Sequence, residues 1–337
     1  MVKIKDIALA CHTSSATVSK ALHNSPELSK ETIVKIQKAA KQMGYVPNAY
    51  ARALKMKHSN SIGIIYDDPS GFGLSHECFS NVIQALKAEA ERQGYAITFL
   101  SRNPKMPTTS YLSLAQYWNM DGVIIVSENF SDPDIVELVN SGLPVVTIDY
   151  IFNSCTAVMS DNAEGMEKLV NFIIGRGHRQ IAFVHGETTD VTQKRLSGYY
   201  KALKDSHIAV NPLYLKNAIF HGPRESGRAT IELLHLKEKP TCICYPDDVS
   251  MLGGITALQQ AGYTIGEDIS IAGYDGVEIS RIYRPTFTTY QQNFTDLGTE
   301  AAKSLIERID NPTLFTPQKI VVSGAVQEGQ TVKDINS

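Results

Sequence analysis

Cysteine is scarce in this chain. Five thiols (Cys11, Cys78, Cys155, Cys242 and Cys244) are scattered over 337 residues, an odd number without framework spacing. Cys242 and Cys244 lie two apart in a strand-like run, so they face the same way and pair awkwardly. Reduced, buried thiols in a cytosol fit best. The nine His include no close ligand pairs of the kind zinc needs, so no metal is expected. No apolar run approaches the roughly 20 residues of a membrane span. Met1-Val-Lys-Ile4 opens no apolar signal region, so a cytoplasmic protein is expected. Enzyme signatures are missing too. There is no Gly-x-Ser-x-Gly elbow, dinucleotide fingerprint or phosphate loop. Gly175-Arg-Gly177-His178 lacks the phosphate-loop spacing and reads as a helix stop. A non-enzyme with no catalytic residue and no cofactor is expected. The single Trp118 lies ahead of a buried strand and reads as packing.

What is present is a charge asymmetry. Residues 1–58 hold nine Lys and one Arg against Asp6, Glu27 and Glu31, a balance of +7. The remainder carries 22 basic and 32 acidic residues, or −10. A basic head on an acidic body implies that one end meets a polyanion.

Local order in the head sharpens this. Lys5–Cys11 reads as a short helix with Ile7, Ala8 and Cys11 inward. After a break at His12-Thr13, Ser14 can cap a second helix, Ser15–His23, by accepting from its unpaired backbone N–H groups. Val18, Ala21 and Leu22 form its apolar face; Ser15, Ala16, Ser19 and Lys20 lie off it. Asn24-Ser-Pro26 stops it. Ser29 caps a third helix, Lys30–Met43, and Gly44 ends that one. Two short helices joined by a tight turn, the second showing small polar and basic residues, is DNA-binding geometry. Periodicity alone would fit any small helical bundle; the charge favours DNA, because neutralised phosphates release counterions.

Asn48–Lys57 follows Pro47 and contains strong helix formers, yet about nine residues make a marginal helix in water. From Ser61 onward, short apolar strands alternate with helices at the spacing of parallel, right-handed βαβ units. Ligands of such sheets bind beyond the carboxyl ends of strands. Asp149, Asp247 and Asp275 follow or end strands in this way.

Several motifs carry a family resemblance. They are Ile4-Lys-Asp-Ile-Ala8, Ser14-Ser-Ala-Thr-Val-Ser-Lys-Ala-Leu22 and Gly44-Tyr-Val-Pro-Asn48-Ala-Tyr-Ala-Arg-Ala-Leu54. In the body they continue with Val145-Val-Thr-Ile-Asp149, Ser160-Asp-Asn162, Arg195-Leu-Ser-Gly-Tyr199 and Gly273-Tyr-Asp275. Together they resemble the LacI/GalR family of bacterial transcription regulators over nearly the whole chain. The resemblance implies a multidomain protein. An all-α helix-turn-helix head spans 1–47, and a hinge helix and linker span 48–60. An α/β body, 61–337, has two doubly wound parallel-sheet lobes like those of periplasmic binding proteins. Lobe one would be about 61–161 plus 292–323, and lobe two about 162–290 plus 324–337.

The resemblance also implies roles. Ser15, Ala16 and Lys20 would read base edges, with Ser14 beside them; Thr17, Ser19 and Asn24 would hold phosphates. Lys donates to guanine N7 and O6, and Ala packs on a thymine methyl. His12 replaces the family's usual turn Gly, and His accepts a left-handed backbone at some cost. In the hinge, Asn48 would cap a helix, Leu54 would wedge between base pairs in the minor groove, and Ala51 and Lys55 would line it. The effector set would be His76, Phe79, Asp149, Asp161, Arg195, Phe220, Asp247, Asp275 and Gln292. Carboxylates and an Arg bond hydroxyls with charge assistance, which suits a sugar-like effector. Asp149 and Asp161 also read as helix caps or lobe-interface residues, and Asp247-Asp248 leaves open which carboxylate faces the ligand.

The expected function is a repressor of carbohydrate-utilisation genes. Its homodimer would read a pseudo-palindromic operator, modulated by a small sugar-like effector bound between the lobes. The alternatives are a non-catalytic sugar-binding sensor and a co-repressor-dependent regulator.

Overall fold

The computed structural model describes residues 2–45, 58–68, 71–102, 110–313 and 315–336. The chain divides into two compact units, Met1–Ser59 and Asn60–Ser337. The hinge residues Asn48, Ala51, Leu54 and Lys55 lie outside the described residues.

Among the described residues of the first unit three helices, α1 (Ile4–Ala10), α2 (Ser15–Leu22) and α3 (Lys30–Gln42), surround one small core. Ile7, Ala8, Cys11, Val18, Ala21, Ile36 and Ala40 form it. The turn between α1 and α2 is closed by Thr13 N–H donating to Ala8 O at 2.9 Å. It places His12 at φ +51°, the left-handed conformation that a Gly would have supplied freely. Ser14 Oγ accepts from Thr17 N–H at 3.0 Å, and Ser29 Oγ from Thr32 N–H at 3.2 Å, so both expected caps are made. The exit from α2 is equally fixed. Asn24 takes φ +52°, its N–H donates to Ala21 O and the Ser25 N–H donates to Lys20 O at 3.0 Å. That double bond around a left-handed residue is a Schellman ending, with Pro26 blocking continuation.

In the second unit the elements are β1 (Ser61–Tyr66), α4 (Glu77–Arg92), β2 (Ala96–Phe99), α5 (Tyr111–Tyr117), β3 (Gly122–Ser127) and α6 (Pro133–Asn140). Then come β4 (Val145–Ile148), β5 (Thr156–Ser160), α7 (Asn162–Gly175), β6 (Ile181–His185), α8 (Asp190–Asp205) and β7 (Leu215–Asn217). The chain continues through α9 (Pro223–Leu234), β8 (Cys242–Cys244), α10 (Asp248–Gln260), β9 (Ser270–Asp275) and the short α11 (Ile279–Ile282). It ends with β10 (Thr288–Gln291), α12 (Phe294–Asp310), β11 (Lys319–Val322) and β12 (Ala325–Gln327).

The strands make two six-stranded sheets, ordered β11-β5-β4-β3-β1-β2 and β12-β10-β9-β8-β6-β7. Every pairing is parallel except β10 with β12. Each sheet is covered on both faces, as parallel sheets require. Period-two alternation assigns the faces. Ile62, Ile64 and Ile124 meet α4 and α12, while Ile65, Val123 and Ile125 meet α5 and α6. In the second sheet Ala182, Val184 and Ile243 face α9 and α10, whereas Phe183, Cys242 and Cys244 face α7 and α8. Cys242 and Cys244 thus share a face, and all five cysteines are free and buried. At the α7–α8 crossing a Cβ on Gly198 would stand 2.0 Å from Ala163 O, so only glycine lets these backbones meet. Trp118, read from sequence as a packing residue, is 43% exposed and lies edge-on to Tyr117.

The chain passes from the first sheet to the second through α7, returns through α12, and crosses again between β11 and β12. The carboxyl ends of strands from both sheets border one cleft, which places residues after β4, β5 and β9 at the same opening.

Candidate functional site

Two surfaces carry chemistry. The first is the outward face of α2. Ser14, Ser15, Ala16 and Lys20 are exposed on it, and Thr17 and Ser19 are half-buried along its flank. With Val18 and Ala21 fully buried, the helix can present only this side. Thr17 is engaged locally by the cap, its Oγ1 lying 2.9 Å from Ser14 Oγ. Asn24 has another task besides any phosphate contact: its Oδ1 accepts from Gln37 Nε2 at 2.9 Å. Lys20 is paired with the Glu27 carboxylate, a partner the sequence reading did not name.

The second surface is a cavity of about 370 Å³ between the two sheets of the body, within the size range of small-molecule sites. Seven residues of the expected effector set line it: His76, Phe79, Asp149, Arg195, Phe220, Asp275 and Gln292. At its centre Arg195 Nη2 stands 3.6 Å from Asp275 Oδ1, both side chains being nearly buried. Arg195 is held from every side. Its Nε donates to Asn162 Oδ1 at 2.8 Å, its Nη1 to Pro246 O at 2.6 Å, and its guanidinium lies 3.6 Å from the Tyr274 ring centre. Such a clamped guanidinium offers a fixed donor edge. Gln292 Nε2 donates to the same Asp275 Oδ1 at 2.6 Å.

Both key carboxylates sit on left-handed backbone, Asp149 at φ +55° and Asp275 at φ +96°. Strain of this kind persists only where the surroundings enforce it. For Asp275 the enforcing group is Asp248, whose Oδ2 accepts from Gly276 N–H at 2.8 Å and Val277 N–H at 3.0 Å. Burial drives the Asp248 carboxyl well above the usual carboxylate range, with Asp275 adding repulsion. For Asp149, burial raises the pKa to about 6, against the pull of the Ser160 N–H bond and of Arg195. Asp149 therefore keeps its proton to a higher pH than an ordinary aspartate.

Two expected members stand elsewhere. Asp161 caps α7, its Oδ1 accepting from Glu164 N–H at 3.0 Å, and does not line the cavity. Asp247 caps α10, accepting from Ser250 N–H at 2.7 Å, and also takes the His221 N–H at 2.9 Å. Neither Asp247 nor Asp248 lines the cavity; both serve the backbone that shapes it. The physical reason is common to both: a carboxylate just before a helix is captured by the unpaired N–H groups of the first turn.

Several lining residues escaped the sequence reading, among them Asp68, Phe130, Tyr150, Glu187, His221 and Phe294. Phe130 and Tyr150 stack at 4.3 Å, joining two loops of the first sheet. His221 follows Phe220, already singled out, and meets His76 from the other sheet at a ring separation of 4.0 Å. Burial, with His221 nearby, lowers the His76 pKa, against the pull of Asp275 and Asp68. Further contacts bridge the cleft here. Cys78 Sγ donates to Asp275 Oδ2 at 3.4 Å, and Glu278 N–H donates to Glu77 Oε1 at 2.6 Å. The start of α4 is thus docked on the loop after β9.

Comparison with known proteins assigns this architecture. Residues 3–48 match the model of bacterial regulatory proteins, lacI family, and residues 170–332 that of a periplasmic binding protein-like domain. The transcriptional repressor PurR of Mannheimia succiniciproducens is 31% identical over 316 residues, covering 92% of both chains. The chain belongs to the LacI family. It is a DNA-binding transcription regulator. Its fold is similar to the lac repressor dimer bound to operator and the anti-inducer ONPF, with a TM-score of 0.83 and 23% identity, covering 98% of this chain and 99% of that one. A CelR–cellobiose complex is also similar, with a TM-score of 0.71 and 21% identity over 98% of this chain and all of that one. Among the described residues no helix is long and apolar enough to cross a membrane, and no three metal-binding side chains converge.

Proposed function

We propose that this LacI-family regulator is a repressor whose affinity for operator DNA is set by a small sugar-like effector held in the cavity between its lobes, and that it controls carbohydrate-utilisation genes. The observation that carries this reading is the clamped Arg195 facing Asp275 and Gln292 in the cleft. Fixed charged donors and acceptors beside aromatic faces suit a polyol. The CelR relative of this fold, solved with cellobiose, supports it. His76, Phe79, Asp149, Phe220, Asp275 and Gln292 contact the effector in this reading. Asp161 and Asp247 act through the backbone they cap.

The head reads DNA through Ser14, Ser15, Ala16, Thr17, Ser19, Lys20 and Asn24, and the segment 48–60 acts as the hinge with Asn48, Ala51, Leu54 and Lys55 at the minor groove. A homodimer matches the two half-sites of a pseudo-palindrome. Coupling is reciprocal: effector and operator change each other's affinity by one factor. A second reading, a planar heterocyclic effector, is favoured by the five rings of Phe79, Phe130, Tyr150, Phe220 and Phe294 around the cavity.

The test is calorimetric titration against sugars, sugar acids and nucleobases, followed by operator binding with the hit present. A sugar that binds and shifts operator affinity at least fivefold supports the proposal. A nucleobase hit replaces the sugar by the second reading, and binding without any operator shift overturns the allosteric role.

A further inference from the structure

The head is strongly basic, yet one carboxylate stands on the face that meets DNA. Glu27 is exposed and ion-paired with Lys20, whose side chain projects from the outward side of α2. The two charges therefore share one face. Glu27 is held by backbone rather than by chance. The Schellman ending of α2 ties Ser25 N–H to Lys20 O, Pro26 fixes its own φ and restricts Ser25 before it, and Leu28 N–H donates to Ser25 O at 3.2 Å. Gln37 braces the same loop from α3, bonding Ala21 O at 3.2 Å and Asn24 Oδ1 at 2.9 Å. The loop carrying Glu27 is thus part of the same rigid body as α2.

An exposed ion pair contributes little to stability. A carboxylate brought against phosphates weakens binding, because it opposes the counterion release that drives association. The pair is better explained by base recognition. A Lys ammonium donates to guanine O6 and N7, and a Glu carboxylate accepts from the cytosine N4 amino group.

We propose that Glu27 is a specificity-determining residue that acts with Lys20 as a unit, the two reading a G·C pair or two adjacent ones in each operator half-site. Lys20 supplies the donor for guanine, and Glu27 accepts from cytosine while fixing the reach of the Lys20 side chain. The carboxylate also penalises any half-site that leaves it unpaired against the duplex. This extends the DNA-reading role given above to Lys20, but not the effector assignment.

The experiment is selection of binding sites from random duplexes by the full-length protein, with wild type, Glu27→Gln, Lys20→Ala and the double variant compared in one buffer. Wild type is expected to select G·C at one or two adjacent positions per half-site. Glu27→Gln should flatten the preference there by roughly tenfold or more. Lys20→Ala should act on the same or the neighbouring position, and the double variant should lose less than the product of the two single losses. Glu27→Gln should also bind unrelated duplex more tightly, with a salt dependence steeper by about one ion. If Glu27→Gln tightens every sequence equally and leaves the selected half-site unchanged, Glu27 is a charge mask and the proposal fails. A wild-type half-site without G·C at the positions that Lys20→Ala alters also overturns it. Failure of wild type to select any sequence would instead refute sequence-specific DNA binding by the head.

Discussion

The head and the body solve opposite problems. In the head the chemistry is outside: a core of seven buried residues holds α2 so that its polar side faces outward. In the body the chemistry is inside: Arg195 and Asp275 are nearly buried and held by contacts from both sheets. Reading residues on an exposed helix need only a rigid support, so each can change without unfolding its neighbours. Cavity residues are part of the support itself, so changing one disturbs stability and ligand response together.

The hardest blow to this contrast is Arg195→Ala. It leaves Asp275 without its buried cation and removes bonds to Asn162 and Pro246, so the body should lose about 3–5 kcal/mol. Two thermal transitions resolved by calorimetry should show the body shifted down and the head unmoved. A body transition at the wild-type temperature would mean that Arg195 is only a ligand contact. Ile7→Ala is the mirror experiment. Ile7 is fully buried in the small head core, and its truncation costs about 2–5 kcal/mol. DNA binding should vanish while effector titration of the body stays normal; retained DNA binding would show that the head draws stability from elsewhere.

The gentlest probe is Asp149→Asn. Burial raises the pKa of this carboxyl to about 6 in the folded protein, above its unfolded value. The folded state therefore holds the extra proton, and the cost of the buried charge grows as pH rises through 6. Relative to wild type, the Asn variant should gain about 2 kcal/mol between pH 4.5 and pH 8. Thermal melts at the two pH values measure it, and a difference that does not change with pH removes Asp149 as a titrating group.

Legibility in the sequence followed the same divide. Ser14 and Ser29 were readable as caps because capping is a matter of four consecutive residues. His12 stood out as a non-glycine at a left-handed turn, and its φ of +51° bears that out. Arg195 and Asp275 were named from a family pattern, and the fold brings them together although 80 residues separate their numbers. Asp161 and Asp247 were named for the same reason and stand as caps, since a local N–H group wins over a distant cavity. Asp248 was visible only as the alternative to Asp247, and His221, Phe130 and Glu187 left no local sign. Their part depends on which loop ends meet at the cleft.

By itself, then, the sequence determined what repeats along the chain: the basic head, the helix caps and the strand–helix alternation. Those follow from periodicity and from hydrogen bonds made within a few residues. The tertiary structure alone decided which carboxylates face the cavity and which are absorbed by helix ends, that Asp248 props the turn of Asp275, and that Glu27 shares a face with Lys20. Each of these depends on where separate segments stop and what they meet there, which burial and backbone geometry settle only once the chain has closed.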